Sequence, residues 1–135
     1  MNLLFKKVKV LVVEDENIIA RDIESTLKRI GHESAGIVSK GEDAITASEK
    51  VKPDLILMDI SMPELDGISA SKEIRSQNND FAKNVPIIAM TSFVNEAEIE
   101  KFKLAGIHDY IRKPFDAENL INLILKYATP QPNNK

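Results

Sequence analysis

Five short strand-like segments, three of them strongly apolar, alternate with segments of helical periodicity along this chain, and that alternation severely restricts the possible architectures. An unbroken run of Val, Ile and Leu suits a strand buried on both faces, as parallel strands are. Val8 to Val13, apolar except for Lys9, is of this kind, closed by the acids Glu14, Asp15 and Glu16. Ile19, Ile23, Leu27 and Ile30 then recur on one face of a helix, and Gly31 stands where that helix needs a left-handed cap. Glu33 to Val38 reads as a weaker strand. Ser39 with Glu42 forms a capping box for a second helix, which Pro53 ends.

The second half repeats the pattern. Leu55 to Met58 is a short buried strand, and Asp66–Gly67 opens a third helix that runs to about Ser76. Gln77 to Val85 reads as a polar loop. Pro86 starts the strand Ile87 to Met90 at a position where proline is tolerated. Asn95 and Glu98 cap a fourth helix that stops at Gly106; His108 to Arg112 is the fifth strand; Asp116 caps a fifth helix that runs to about Tyr127.

Five βα units joined by short loops make a parallel sheet covered on both faces, and right-handed crossovers limit its topology. The most apolar strands, around residues 10, 56 and 88, belong in the centre. Those around 35 and 110 carry Glu33, Ser34, Asp109 and Arg112 and belong at the edges. The order 2-1-3-4-5 meets both conditions. The expected fold is α/β, a doubly wound five-stranded parallel sheet with five helices, flavodoxin-like.

A chain of 135 residues suits one domain. The expected division is 1–128 as the domain and 129–135, rich in Pro and Asn, as a flexible tail or the start of a linker. A net charge of -3 offers no general attraction to nucleic acid or to anionic lipid. The absence of cysteine excludes disulfides and thiolate metal sites. Lys6, Lys7 and Lys9 interrupt the apolar N-terminus, and no stretch approaches the ~18 residues of a membrane span. A cytoplasmic protein with no membrane partner is expected.

In doubly wound sheets, ligands bind beyond the carboxyl ends of the strands. Strand one ends in Glu14 and Asp15, strand three in Asp59, strand four in Thr91 and Ser92, and strand five in Lys113 and Pro114. Three acids, a hydroxyl and a lysine therefore converge. Clustered carboxylates must protonate or hold a cation, and an all-oxygen set suits Mg²⁺. A carboxylate beside such a cation can attack a phosphoryl group, while a lysine and a hydroxyl hold the other phosphoryl oxygens.

Each of these residues also has a structural explanation. Glu14 to Glu16 could favour a helix N-terminus through its dipole. Asp59 could be a turn residue, Thr91 and Ser92 a cap, and Tyr110 a half-buried edge aromatic. His32 and His108 read as ordinary loop and edge residues, because neither has a ligand partner at metal spacing. Lys113, before a proline at a strand end, has no obvious packing role. Five such explanations would have to hold together at one convergence point.

The segments VLVVEDE, DLILMDISMPELDG, IIAMTS and DYIRKPF, in that order, resemble the four signature segments of response-regulator receiver domains. The resemblance covers Val8 to Tyr127. It implies that Glu14, Asp15 and Asp59 hold Mg²⁺ with the backbone carbonyl of Ser61, and that Asp59 accepts a phosphoryl group. It also implies that Thr91 and Lys113 contact that group, that Tyr110 changes rotamer on activation, and that Lys113–Pro114 is cis. The implied donor is a histidine kinase or phosphotransfer protein, and the implied activity is a switch rather than an enzyme, beyond self-phosphorylation and self-dephosphorylation. Strand one ends in Glu-Asp where many members have Asp-Asp. Ser61 and Phe93 occupy positions that tune phosphoryl lifetime in the family.

Three rivals compete with that assignment. A haloacid-dehalogenase-type phosphatase would carry a second aspartate two residues after Asp59, where this chain has Ser61. A pseudo-receiver would have lost an acid or the lysine. Direct nucleic-acid binding would need a basic face or a helix-turn-helix segment after Tyr127. The output surface is expected on the fourth helix, fifth strand and fifth helix, serving a homodimer or an output domain. On the fifth helix Leu120, Leu123, Ile124 and Tyr127 face the core, and Ile121, Leu125 and Ala128 widen the apolar arc to roughly 200°.

Overall fold

The computed structural model describes residues 7–128. The proposed tail, 129–135, lies outside them. Five strands form one parallel sheet: β1 (Lys9–Val13), β2 (Glu33–Val38), β3 (Leu55–Asp59), β4 (Ile87–Thr91) and β5 (Asp109–Arg112). Their order is β2-β1-β3-β4-β5, as the apolarity of the runs implies. Every residue of β3 and β4 is buried, whereas β2 and β5 are the polar edges.

Successive strand residues serve opposite layers. Val10, Val12, Leu55, Leu57, Ile88 and Met90 face one core, where they meet α1 (Asn17–Arg29) and α6 (Ala117–Ala128). Leu11, Val13, Ile56, Met58, Ile87 and Ala89 face the other, under α2 (Gly41–Val51), α3 (Gly67–Arg75), α4 (Asp80–Asn84) and α5 (Glu96–Leu104). The first layer is closed by helix faces of the right period: Ala20, Ile23 and Leu27 on α1, and Leu120, Leu123 and Ile124 on α6. Burying each of the larger side chains contributes roughly 1.5–3 kcal/mol.

Helix count departs from expectation by one. The segment taken for a polar loop contains α4, whose N-cap Asn79 accepts a hydrogen bond from the Ala82 amide at 2.7 Å. Ala82 is buried and Phe81 packs against the same core, so this single turn is held by tertiary contacts. The expected fourth and fifth helices are therefore α5 and α6. Their caps are the expected ones: Asn95 accepts from the Glu98 amide and Asp116 from the Asn119 amide, both at 2.8 Å. Asp66 caps α3 in the same way.

The capping box of α2 does not form. Lys40 occupies the N-cap and supplies no side-chain bond. The helix starts at Gly41 because that residue lies against the Leu65 carbonyl, where a Cβ would overlap. Glu42 and Asp43 in the first turn still suit the helix dipole. The apolar arc of α6 is also narrower than the sequence suggests. Ala128 is fully buried in the core, Ile121 is half-buried, and Leu125 alone of the three is exposed.

His32 is not an ordinary loop residue. It is buried, and its Nδ1 accepts a hydrogen bond from the Val8 amide at 3.0 Å. Burial lowers its pKa below the usual histidine value, in keeping with a neutral ring that accepts at Nδ1. The imidazole thus satisfies the amide of Val8, the residue that leads into β1.

Candidate functional site

The parallel sheet delivers three strand ends to one place, and the ladder fixes them there. Asp59 pairs with Met90 across β3 and β4, and Thr91 pairs with Arg112 across β4 and β5. Strand three runs one residue further than its apolar run indicates, so Asp59 itself belongs to the ladder. The side chain at that position is positioned by rigid backbone, as a reacting group must be.

Glu14, Asp15 and Asp59 each offer a carboxylate oxygen, and these oxygens lie within 4.8 Å of one another. Glu14 is 1% exposed and Asp59 2%, while Asp15 is open to solvent. Lys113 reaches across from the end of β5. Its Nζ is 3.0 Å from Glu14 Oε1 and 3.2 Å from Asp59 Oδ1. The Ser61 amide donates to the same Asp59 oxygen at 3.2 Å, and the Glu16 amide donates to Glu14 Oε2 at 3.1 Å. The Lys113–Pro114 peptide is cis, as the resemblance implies.

One lysine does not neutralise three acids. Asp59 is pushed up to about 7, first by burial, then by its hydrogen bond with Asp15 and the charge of Glu14, with Lys113 acting in the opposite direction. Burial alone would lower Lys113, but hydrogen bonding to Glu14 and the charge of Asp59 leave it raised overall. Glu14 Oε1 is buried, and Lys113, which it shares with Asp59, is its one polar contact among the described residues. A buried carboxylate oxygen that shares one lysine with a neighbouring acid, beside two more carboxylates, belongs to a donor set that fits a hard divalent cation.

Thr91 is buried at the end of β4, but its hydroxyl is turned to its own loop. It donates to the Phe93 carbonyl at 3.0 Å and accepts from the Phe93 amide at 3.2 Å. Phe93 itself is largely exposed. Tyr110 lies on β5 with its ring 6.2 Å from that of Phe102 on α5, and part of it reaches solvent. A cavity of about 220 Å³ between α5 and β5 is lined by Ile99, Phe102, Ile107 and Tyr110.

Glu14, Asp15, Asp59, Ser61, Thr91 and Lys113 thus fall at or beside the carboxyl ends of the strands, whereas Tyr110 lies earlier in β5, opposite Ala89 in the middle of β4. Two features escaped the sequence reading. One is the pair of hydrogen bonds between the Thr91 hydroxyl and the Phe93 backbone, which no spacing rule announces. The other is a groove of about 640 Å³ that opens beside Lys113, lined by Ile18, Ile19, Ile23, Pro114 and Phe115. Ile18 is 85% exposed. Its signal was available: Ile18 precedes Ile19 and lies off the face set by Ile19, Ile23 and Leu27.

The fold and this constellation define a receiver domain. The chain belongs to the response regulator receiver domain family, which it matches over residues 10–125. It is 37% identical over 116 residues to the transcriptional regulatory protein PdtaR of Mycobacterium tuberculosis, covering 86% of this chain and 54% of PdtaR. The chain therefore spans about half the length of that relative. Among solved structures, it resembles the receiver domain of the sensor histidine kinase PA1611 from Pseudomonas aeruginosa, with 36% identity and a TM-score of 0.79 over 90% of this chain and 97% of that one. That structure holds a magnesium ion in its active-site cleft. The chemotaxis protein CheY4 of Vibrio cholerae is similar at 27% identity and a TM-score of 0.83, covering 90% of this chain and 98% of that one. Among the described residues, no helix is long and apolar enough to cross a membrane.

Proposed function

We propose that this receiver domain accepts a phosphoryl group on Asp59 from a phosphohistidine of a histidine kinase or phosphotransfer protein, in a Mg²⁺-dependent reaction. The observation that carries this reading is the buried Asp59 carboxylate, fixed by the β-ladder, with Lys113 at 3.2 Å and the oxygens of Glu14 and Asp15 close by. An Asp59 oxygen attacks phosphorus, a P–O bond forms, the P–N bond breaks, and the imidazole leaves with the electron pair. Lys113 stays within reach of Asp59 and balances the charge on the phosphoryl oxygens. Glu14, Asp15, Asp59 and the Ser61 carbonyl would hold Mg²⁺, which supplies charge neutralisation for the transferring group.

The groove beside Lys113 suits the donor protein. Its apolar lining and the exposed Ile18 give a helix-bearing partner a place to rest next to the acceptor. Thr91 and Tyr110 form the switch. To donate to a phosphoryl oxygen, the Thr91 hydroxyl must leave the Phe93 carbonyl. The cavity beside Tyr110 then gives the ring a second position. The surface of α5, β5 and α6 carries the output, to a second copy or another domain, with Ile121 and Leu125 as its apolar part on α6. The protein acts in the cytoplasm.

Beryllofluoride, a phosphoryl mimic, tests the acceptor reading. With Mg²⁺ present it saturates the wild type in fluorine NMR and gives no bound signal with Asp59→Asn. A bound signal of equal intensity in that variant removes Asp59 from the role.

A further inference from the structure

At the opposite pole of the sheet from Asp59, a second cleft of about 610 Å³ separates the end of α3 from the turn between α5 and β5. Its charged lining is entirely basic: Lys72, Arg75, Lys83 and Lys103, with His108 beside them and no acid. Among the described residues, Lys72, Lys83 and Lys103 make no ion pair and no side-chain hydrogen bond. A chain of net charge -3 therefore gathers four cations around one concavity, three of them lysines without a partner. We propose that this cleft is a binding site for a small oligophosphate-bearing ligand, such as a nucleotide.

Helix dipoles account for part of the arrangement. Lys72 and Arg75, Lys83, and Lys103 stand in the last turns of α3, α4 and α5, where cations are favourable. That effect places a cation near each helix end; it does not require the ends to share a cleft free of acids. The cleft is also built. Arg75 Nε and Nη2 donate to the Gly106 carbonyl at 3.0 and 2.7 Å, Nη1 donates to the Ala82 carbonyl at 2.9 Å, and Nη2 donates to His108 Nδ1 at 3.1 Å. Four of its five N–H groups are thereby committed, so the guanidinium is a fixed charge with one donor to spare. Gly106, at φ +82°, leaves room for it, since a Cβ there would come within 2.8 Å of Arg75 Cγ and Nε.

The cleft is wide and open, so a ligand would be held at its surface by charge rather than enclosed. Flexible lysines around a fixed arginine suit phosphate groups, which take point charges from any direction. Leu104, 74% exposed at the rim, offers an apolar surface to the rest of the ligand. Because β4 and β5 begin at this pole and end at the other, binding here does not compete with chemistry at Asp59.

The test uses the whole chain at physiological salt, with tripolyphosphate and ATP as probes, followed by calorimetry and amide NMR. The site predicts saturable one-to-one binding tighter than about 1 mM for at least one probe, with shifts at Ser76, Lys83 and Gly106. Lys83→Glu with Lys103→Glu weakens it at least ~tenfold. Lys50→Glu, at the end of α2, leaves it unchanged, and beryllofluoride still saturates Asp59 in every variant. Absence of saturation, equal loss in Lys50→Glu, or binding of an oligoglutamate peptide in place of both phosphates overturns the proposal.

Discussion

Lys113 and Asp59 stand 54 residues apart in sequence, and their charged atoms stand 3.2 Å apart in space. The same ammonium lies 3.0 Å from Glu14, so a single cation is shared by two buried acids. The site is therefore short of positive charge in its metal-free state, and much of its behaviour follows from that shortage.

Stability should fall with rising pH, because burial and the neighbouring acids outweigh the Lys113 ion pair at Asp59. The folded state raises Asp59 from 3.8 to about 7, so the fold binds its proton more tightly than the unfolded chain does. The stabilising contribution is complete below pH 3.8 and is lost as pH rises through about 7. Asp59→Asn should accordingly stabilise the metal-free protein by ~2–4 kcal/mol at pH 8, and by much less near pH 4. Urea unfolding at the two pH values measures the difference. Equal stability of the two proteins at pH 8 would show that the buried charge costs nothing.

Mg²⁺ should recover part of that loss. Thermal unfolding at pH 8 should shift upward with Mg²⁺ in the wild type and hardly at all in Asp15→Asn. Asp15 is the exposed member of the three acids, so its substitution perturbs the core least. A full Mg²⁺ shift in the variant would place the metal elsewhere.

Gly67 should be intolerant of even a methyl group. A Cβ there would overlap the carbonyl oxygen of Asp59 and crowd the Ile60 Cα. Because both contacts are backbone, relief requires moving the end of β3. Gly67→Ala should cost about 2 kcal/mol or more and should also slow phosphorylation. Denaturant unfolding together with the rate of labelling by a small phosphodonor checks both. A stable variant with wild-type labelling would mean that α3 can shift away freely.

Thr91 should couple phosphorylation to Tyr110 without being needed for acceptance. Thr91→Ala removes the hydroxyl that now bonds Phe93 twice. In a Tyr127→Phe background, the NMR signals of Tyr110 should move on beryllofluoride addition in the wild-type site and stay put in Thr91→Ala. An identical response in both would uncouple the two residues.

Much of the scaffold was legible because the central strands are unbroken apolar runs, and a parallel strand buried on both faces needs nothing else. Glu14, Asp15, Asp59 and Thr91 were legible for a related reason, since each stands where such a run stops, and Lys113 because a lysine before Pro114 has no packing role at the end of a strand. The helix α4 was not, since five residues cannot display a helical period and its stability comes from Ala82 and Phe81 in the core. Ser39 and Glu42 satisfied a local capping rule, but close packing of Gly41 on Leu65 set the start of α2 instead. His32 and Arg75 were missed because their partners, Val8, Ala82 and Gly106, are backbone groups supplied by other elements.

The most direct test is to locate the acceptor chemically. The protein is incubated with Mg²⁺ and a small phosphodonor, reduced with borohydride, digested and sequenced by mass spectrometry. An acyl phosphate on Asp59 is reduced to homoserine at that position alone, and omission of Mg²⁺ abolishes the product. Homoserine at Asp15 or elsewhere, or none at position 59 under conditions that leave the fold intact, would contradict the assignment of Asp59 as the phosphoryl acceptor.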